Sequence, residues 1–178
     1  MRSVAAAPRG VEVLRATPEQ EPALANLLEL YAHDFSEFLD IELEPNGRFG
    51  YPGLSRYWQE EGRFPFLVTV NGHLAGFALV AKGSRISADP EVWDMAEFFI
   101  VRGHRRGGIG AAVAHEIWRS FPGPWEVRVL ESNHPARAFW GAAIRGFTHS
   151  SVEGVIVEQR EKRWHVFSFV SSEGGGAK

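Results

Sequence analysis

The residues best suited to chemistry lie in one stretch, Asp94 to Ala114. Acids at Asp94 and Glu97 interrupt an apolar run, arginines stand at Arg105 and Arg106, and glycines follow at Gly107, Gly108 and Gly110. Glycine carries no Cβ and tolerates positive φ, so a backbone of this kind can approach a ligand closely. A helix-period pattern begins directly behind the glycines. Its free N–H groups and the positive end of its dipole aim at the same point. An anion belongs there, above all a phosphate, held by the backbone N–H groups around Arg106, Gly107, Gly108, Ile109, Gly110 and Ala111 with the two arginines beside them.

The elements that must position this stretch can be read from the flanking sequence. Val11 to Arg15 alternates as a first strand. Thr17, Pro18 and Gln20 supply a cap, a first-turn proline and a capping-box partner for one or two helices over Pro18 to Leu39. Pro45 to Gly53 is a loop, followed by a short aromatic helix carrying Leu54, Tyr57 and Trp58. Asn71-Gly72 is a two-residue hairpin turn between strands at Phe66 to Val70 and His73 to Ala81. Val92 to Val101 is strand four, apolar on both faces as an interior strand would be. Ile109, Val113, Ile117 and Phe121 form the inner stripe of the next helix, which stops at Pro122-Gly123-Pro124. Trp125 to Leu130 is strand five, reached by a right-handed crossover and therefore parallel to strand four. Asn133 caps a helix running to about Ile144, and Phe147 to Val157 with Arg163 to Val170 forms a last strand pair.

The expected architecture is one α/β domain over residues 11–170. It is built on a mixed sheet of about seven strands, with strands four and five parallel and splayed and helices on both faces. Residues 1–10 and 171–178 are expected to be disordered. A net charge of -3 over 178 residues gives no basic field for nucleic acid. The absence of cysteine removes disulfides and thiolate metal sites and fits the cytoplasm. The histidines show no paired metal-ligand spacing, so no metal is expected. The apolar run at Val4 to Ala7 is too short for a signal peptide, and no segment approaches the roughly 20 apolar residues of a membrane span.

The order of elements resembles the GNAT superfamily of acyl-coenzyme A N-acyltransferases. Arg105-Arg106-Gly107-Gly108-Ile109-Gly110 is similar to that family's Arg/Gln-x-x-Gly-x-Gly/Ala signature after strand four. Asn133-x-x-Ala136, followed by Phe139-Trp140, resembles its second motif. Within the superfamily the chain is most similar to a bacterial group marked by Ala-Glu-Phe-Phe on strand four. The resemblance implies acetyl-coenzyme A as cosubstrate. Its pyrophosphate would lie on the glycine turn, and its amide-rich arm would pair with backbone at Ile100 and Val101 and reach Asn133. Ala136, Phe139 and Trp140 would wall the thioester end.

The implied acceptor is a primary amine of a small molecule, a peptide N-terminus or a protein lysine. An alkyl amine has a pKa of about 10.4 and must lose a proton before it attacks. Glu97 is the candidate base and Asp94 the reserve; simple alternation puts the two on opposite faces, with Asp94 on the face of Ile100. His33, Asp34, Glu37, Tyr51, Tyr57 and Trp58 belong to the segments that build the acceptor pocket in relatives. Trp140 occupies the position where relatives often carry a tyrosine that protonates the leaving thiolate, and indole offers no such proton. Two other functions compete: a non-catalytic acyl-coenzyme A binding module, and a dinucleotide-binding domain, which the missing third glycine at Val113 disfavours. Pairing through the last strands would support a homodimer.

Overall fold

The computed structural model describes residues 8 and 10–172. The predicted disordered ends fall largely outside them. Seven strands form one sheet in the order β1-β2-β3-β4-β5-β7-β6. They are β1 (Val11–Arg15), β2 (Arg63–Val70), β3 (His73–Lys82), β4 (Trp93–Ile100), β5 (Gly123–Leu130), β6 (Val155–Gln159) and β7 (Lys162–Ser171). The helices are α1 (Glu21–Phe35), α2 (Arg56–Gln59), α3 (Ile109–Ser120) and α4 (His134–Thr148). The predicted sheet, its crossover and its helices on both faces are all present.

Local chemistry accounts for the joints. The Thr17 N–H donates to Gln20 Oε1 at 2.9 Å, and Pro18 opens a short 3-10 turn that leads into α1. Asn71 and Gly72 take φ of 51° and 80°, the left-handed pair that a tight hairpin between β2 and β3 demands. The stripe of Val113, Ile117 and Trp118 on α3 packs with Trp140 and Ile144 of α4 over Val80, Met95, Val127 and Phe167. On the opposite face, Leu24, Leu27 and Leu28 of α1 and Tyr57 of α2 cover Leu67, Phe77, Leu79 and Phe99. The sheet is therefore sandwiched between two apolar layers, and burying both drives its formation.

β2 begins at Arg63 rather than Phe66, α1 ends at Phe35 rather than Leu39, and three further features depart from the sequence expectation. First, α4 runs four residues past Ile144, to Thr148, and β6 begins only at Val155. Phe147 is a helical residue packed on the core, 5.2 Å from Trp118 between ring centroids, and this packing carries α4 through Gly146. Second, Gly123 and Pro124 are already in β5, and Ser171 ends β7 with its hydroxyl donating to the Trp118 carbonyl at 2.6 Å. Third, the pairing of β3 with β4 steps from Leu79–Glu97 to Val80–Met95, leaving Ala96 as an extra residue. This bulge breaks the alternation along β4.

The feature that makes room for a ligand is the β4–β5 pair. The two strands run parallel and pair only at Trp93–Trp125 and Asp94–Glu126. Beyond those positions they part.

Candidate active site

Where β4 and β5 separate, a cleft of about 730 Å³ opens through the sheet. It runs from Arg106, Gly108 and Gly110, past Ala136 and Phe139, to Glu97 and Tyr31 on the other side. It thus joins the glycine turn to the acid on β4.

At the glycine end, Gly108 holds φ 78° just before α3, a conformation that glycine adopts at little cost. The first intrahelical bond is Ala112 N–H to the Gly108 carbonyl at 3.0 Å, so the N–H groups of Ile109, Gly110 and Ala111 have no partner within the helix. A Cβ on Gly110 would stand 3.1 Å from the Phe139 ring, so glycine here lets α3 and α4 close on each other. Arg106 is exposed, has φ 65° and lines the cleft. Arg105 is tied down: its Nε donates to the Ile100 carbonyl at 2.7 Å and its Nη2 to Asp34 Oδ2 at 2.6 Å. Arg102 also binds Asp34, at 2.7 Å. Partial burial pushes the Asp34 carboxyl up, but hydrogen bonds from Arg102 and Arg105 hold it below its ordinary value.

Not every residue of the predicted cofactor set faces the opening. The Ile109 side chain is buried in the α3 core. The Val101 N–H donates to the Ala75 carbonyl at 2.8 Å, so this group is engaged inside the sheet. Ile100 does line the cleft, although its carbonyl already accepts from Arg105. Asn133 lines it as well, with Oδ1 accepting from the Ala136 N–H at 3.0 Å to cap α4. Phe98, Phe139 and Trp140 form an aromatic wall, with Phe98 5.0 Å from Trp140 and 6.0 Å from Phe139 between centroids.

At the far end Glu97 accepts hydrogen bonds from the Tyr31 hydroxyl at 2.7 Å and the Tyr51 hydroxyl at 3.1 Å. Burial, reinforced by the charge of Glu97, raises both phenols well above their ordinary range, so they act as hydrogen-bond donors and stay protonated. The bulge at Ala96 turns Glu97 to the same face as Asp94, against the opposite-face expectation. Asp94 is 1% exposed and does not line the cleft. Its neighbours are Arg85 Nε at 3.3 Å and Arg128 Nε at 3.9 Å. Burial raises its carboxyl to about 6 against the pull of Arg128 and Arg85. A group so enclosed cannot meet a substrate, which removes Asp94 as reserve base; it also faces away from Ile100, which packs on the α3 side.

Among the predicted acceptor residues, Asp34 and Glu37 line the cleft, and Tyr51 stands behind Glu97. The others do not reach it. His33 is exposed on α1 outside the cleft, Tyr57 is 2% exposed in the core, and the Trp58 indole donates to the Ala16 carbonyl at 2.9 Å. Three site residues escaped the sequence reading. Tyr31 looked like one more apolar-face residue of α1, while Arg85 in a loop and Arg128 on an alternating strand carried no local signal. Among the described residues, no group of three or more acids and histidines could hold a metal ion, and no helix is long and apolar enough to cross a membrane.

A sequence search of curated proteins finds no match. Among solved structures, an acetyltransferase from Thermus thermophilus is similar with a TM-score of 0.68 at 15% identity, covering 90% of this chain and 96% of that one. A spermidine N-acetyltransferase from Vibrio cholerae, in complex with coenzyme A and spermine, has a TM-score of 0.61 at 11% identity, covering 93% and 98%. An aminoglycoside acetyltransferase in complex with coenzyme A has a TM-score of 0.63 at 14% identity, covering 90% and 94%. At such identities the likeness is one of fold. Residues 24–147, which carry the glycine turn, Glu97 and the Asn133 helix, match the acetyltransferase (GNAT) family, and the chain belongs to that family.

Proposed function

We propose that the protein transfers an acetyl group from acetyl-coenzyme A to a primary amine by direct attack, with Glu97 as the general base. The observation that carries this is the continuity of one cleft from the N-terminus of α3 to Glu97. The amine class is supported by the similar structures solved with coenzyme A, one with spermine and one named for aminoglycosides.

Acetyl-coenzyme A supplies an acyl thioester activated toward amines. The chain's own groups bind and orient it. N–H groups of the turn and the first turn of α3, without a backbone partner among the described residues, suit a pyrophosphate, and Arg106 adds an exposed charge beside them. Ile100 and Asn133 flank the arm, while Phe139 and Trp140 wall the thioester end and exclude water. Glu97 takes the amine proton directly or through one water. Tyr31 and Tyr51 fix the carboxylate by donating to its two oxygens. Trp140 offers no acidic proton, so the thiolate departs unaided and takes its proton from water once released to solvent.

Thermal melting tests the cosubstrate. Acetyl-coenzyme A at concentrations well above its Kd should raise the Tm, since a ligand that binds only the folded state stabilises it. NAD and ATP should not. Identical melting curves with all three would overturn the assignment.

A further inference from the structure

Resting on the amine-acetylation reading above, we infer that the acceptor also carries a carboxylate close to its amine, as a free α-amino acid does, and that Arg128 binds it. Arg128 lines the cleft from β5, opposite Glu97 on β4. Its side chain keeps only 13% of its exposure, and Nε is buried with no hydrogen-bond partner among the described residues. Its other contacts are long: Nη2 is 3.5 Å from the Ala96 carbonyl, and Nε is 3.9 Å from Asp94 Oδ1. The guanidinium lies over Trp164, 5.0 Å from the ring centroid, which fixes its plane. A buried, partly satisfied guanidinium is costly unless something in the functional state completes it. Nε is turned toward the sealed Asp94, so a carboxylate in the cleft meets the terminal Nη groups, which can donate two hydrogen bonds to its oxygens.

The charges in the chamber agree. Beside Glu97, Arg128 borders the cleft while Arg85 and Asp94 lie behind it, two guanidinium groups against two carboxylates. A zwitterion preserves that balance, with its amine toward Glu97 and its carboxylate toward Arg128. A simple alkylammonium would add one uncompensated positive charge beside two arginines. Phe35, Phe38 and Phe99 supply apolar wall on the same side for the rest of the acceptor.

The test compares matched pairs, phenylalanine with phenethylamine and tyrosine with tyramine, by thiol release from acetyl-coenzyme A. The wild type should favour the carboxylated partner in kcat/KM by at least about tenfold. Arg128→Gln should erase most of that ratio, chiefly through a higher KM for the amino acid, and Arg128→Lys should restore part of it. If Arg128→Gln does not fold, the wild-type ratio alone decides. Turnover of amines with no preference for the carboxylate overturns this inference and leaves the amine-acetylation reading standing. No thiol release with any amine overturns both.

Discussion

Arg85 joins Asp94 to Glu97: its Nε lies 3.3 Å from Asp94 Oδ2 and its Nη1 3.8 Å from Glu97 Oε1. One guanidinium can reach both acids because the bulge at Ala96 brings them to one face of β4. Their surroundings then divide their roles. Glu97 borders the cleft and is oriented by two phenols, whereas Asp94 is sealed beneath it.

Asp94 gives a pH-dependent stability with a definite sign. Its carboxyl is raised to about 6 by burial, against about 3.9 in the unfolded chain. Between those values the folded state holds a proton that the unfolded state has lost. The contribution of Asp94 to stability is therefore greatest below about pH 4, falls as pH rises through this window, and is fully lost above about 6, a change on the order of 3 kcal/mol. In Asp94→Asn that component is absent. Melting wild type and variant in parallel from pH 4 to 7 should show the difference in Tm moving in favour of the variant. A constant difference would contradict the assignment.

Gly110 is required for space. A side chain there meets the Phe139 ring at 3.1 Å or less, at the point where α3 and α4 close on the cleft. Gly110→Val should leave the circular dichroism spectrum folded yet abolish the rise in Tm with acetyl-coenzyme A. Retention of the full rise would place the ligand elsewhere.

The two adjacent arginines should separate. Arg105 is held by Ile100 and Asp34, so Arg105→Ala should lower the Tm of the ligand-free protein by about 2–4 °C. Arg106 has an exposed side chain beside the turn, so Arg106→Ala should leave that Tm unchanged and weaken acetyl-coenzyme A about threefold to tenfold, less at high salt. Calorimetric titration at two salt concentrations, with melting of the free proteins, checks both. Equal effects of the two substitutions would refute the distinction.

What could be read from the sequence was encoded locally. Asn71-Gly72 dictates its hairpin, Thr17 to Gln20 its helix start, and Gly107 to Gly110 its strand-to-helix turn, because each depends on neighbours in the chain. The end of α4 could not be read, since Gly146 looks like a stop until Phe147 is seen packed on Trp118 and Phe169. The face of Glu97 was also hidden, because alternation holds only without a bulge and the bulge is a property of pairing with β3. Arg85 and Arg128 come to the acids from a loop and from a strand paired beyond the crossover, and Tyr31 reaches Glu97 across 66 residues of chain. Such contacts belong to the fold and have no local pattern.

Thiol release from acetyl-coenzyme A across a panel of primary amines reports an acetyl transfer in which Glu97 removes the amine proton. Wild type should release thiol with at least one acceptor. Glu97→Gln should lower kcat by about a hundredfold or more while keeping the rise in Tm with acetyl-coenzyme A. Undiminished turnover in Glu97→Gln, or no release by wild type with any amine, would contradict it.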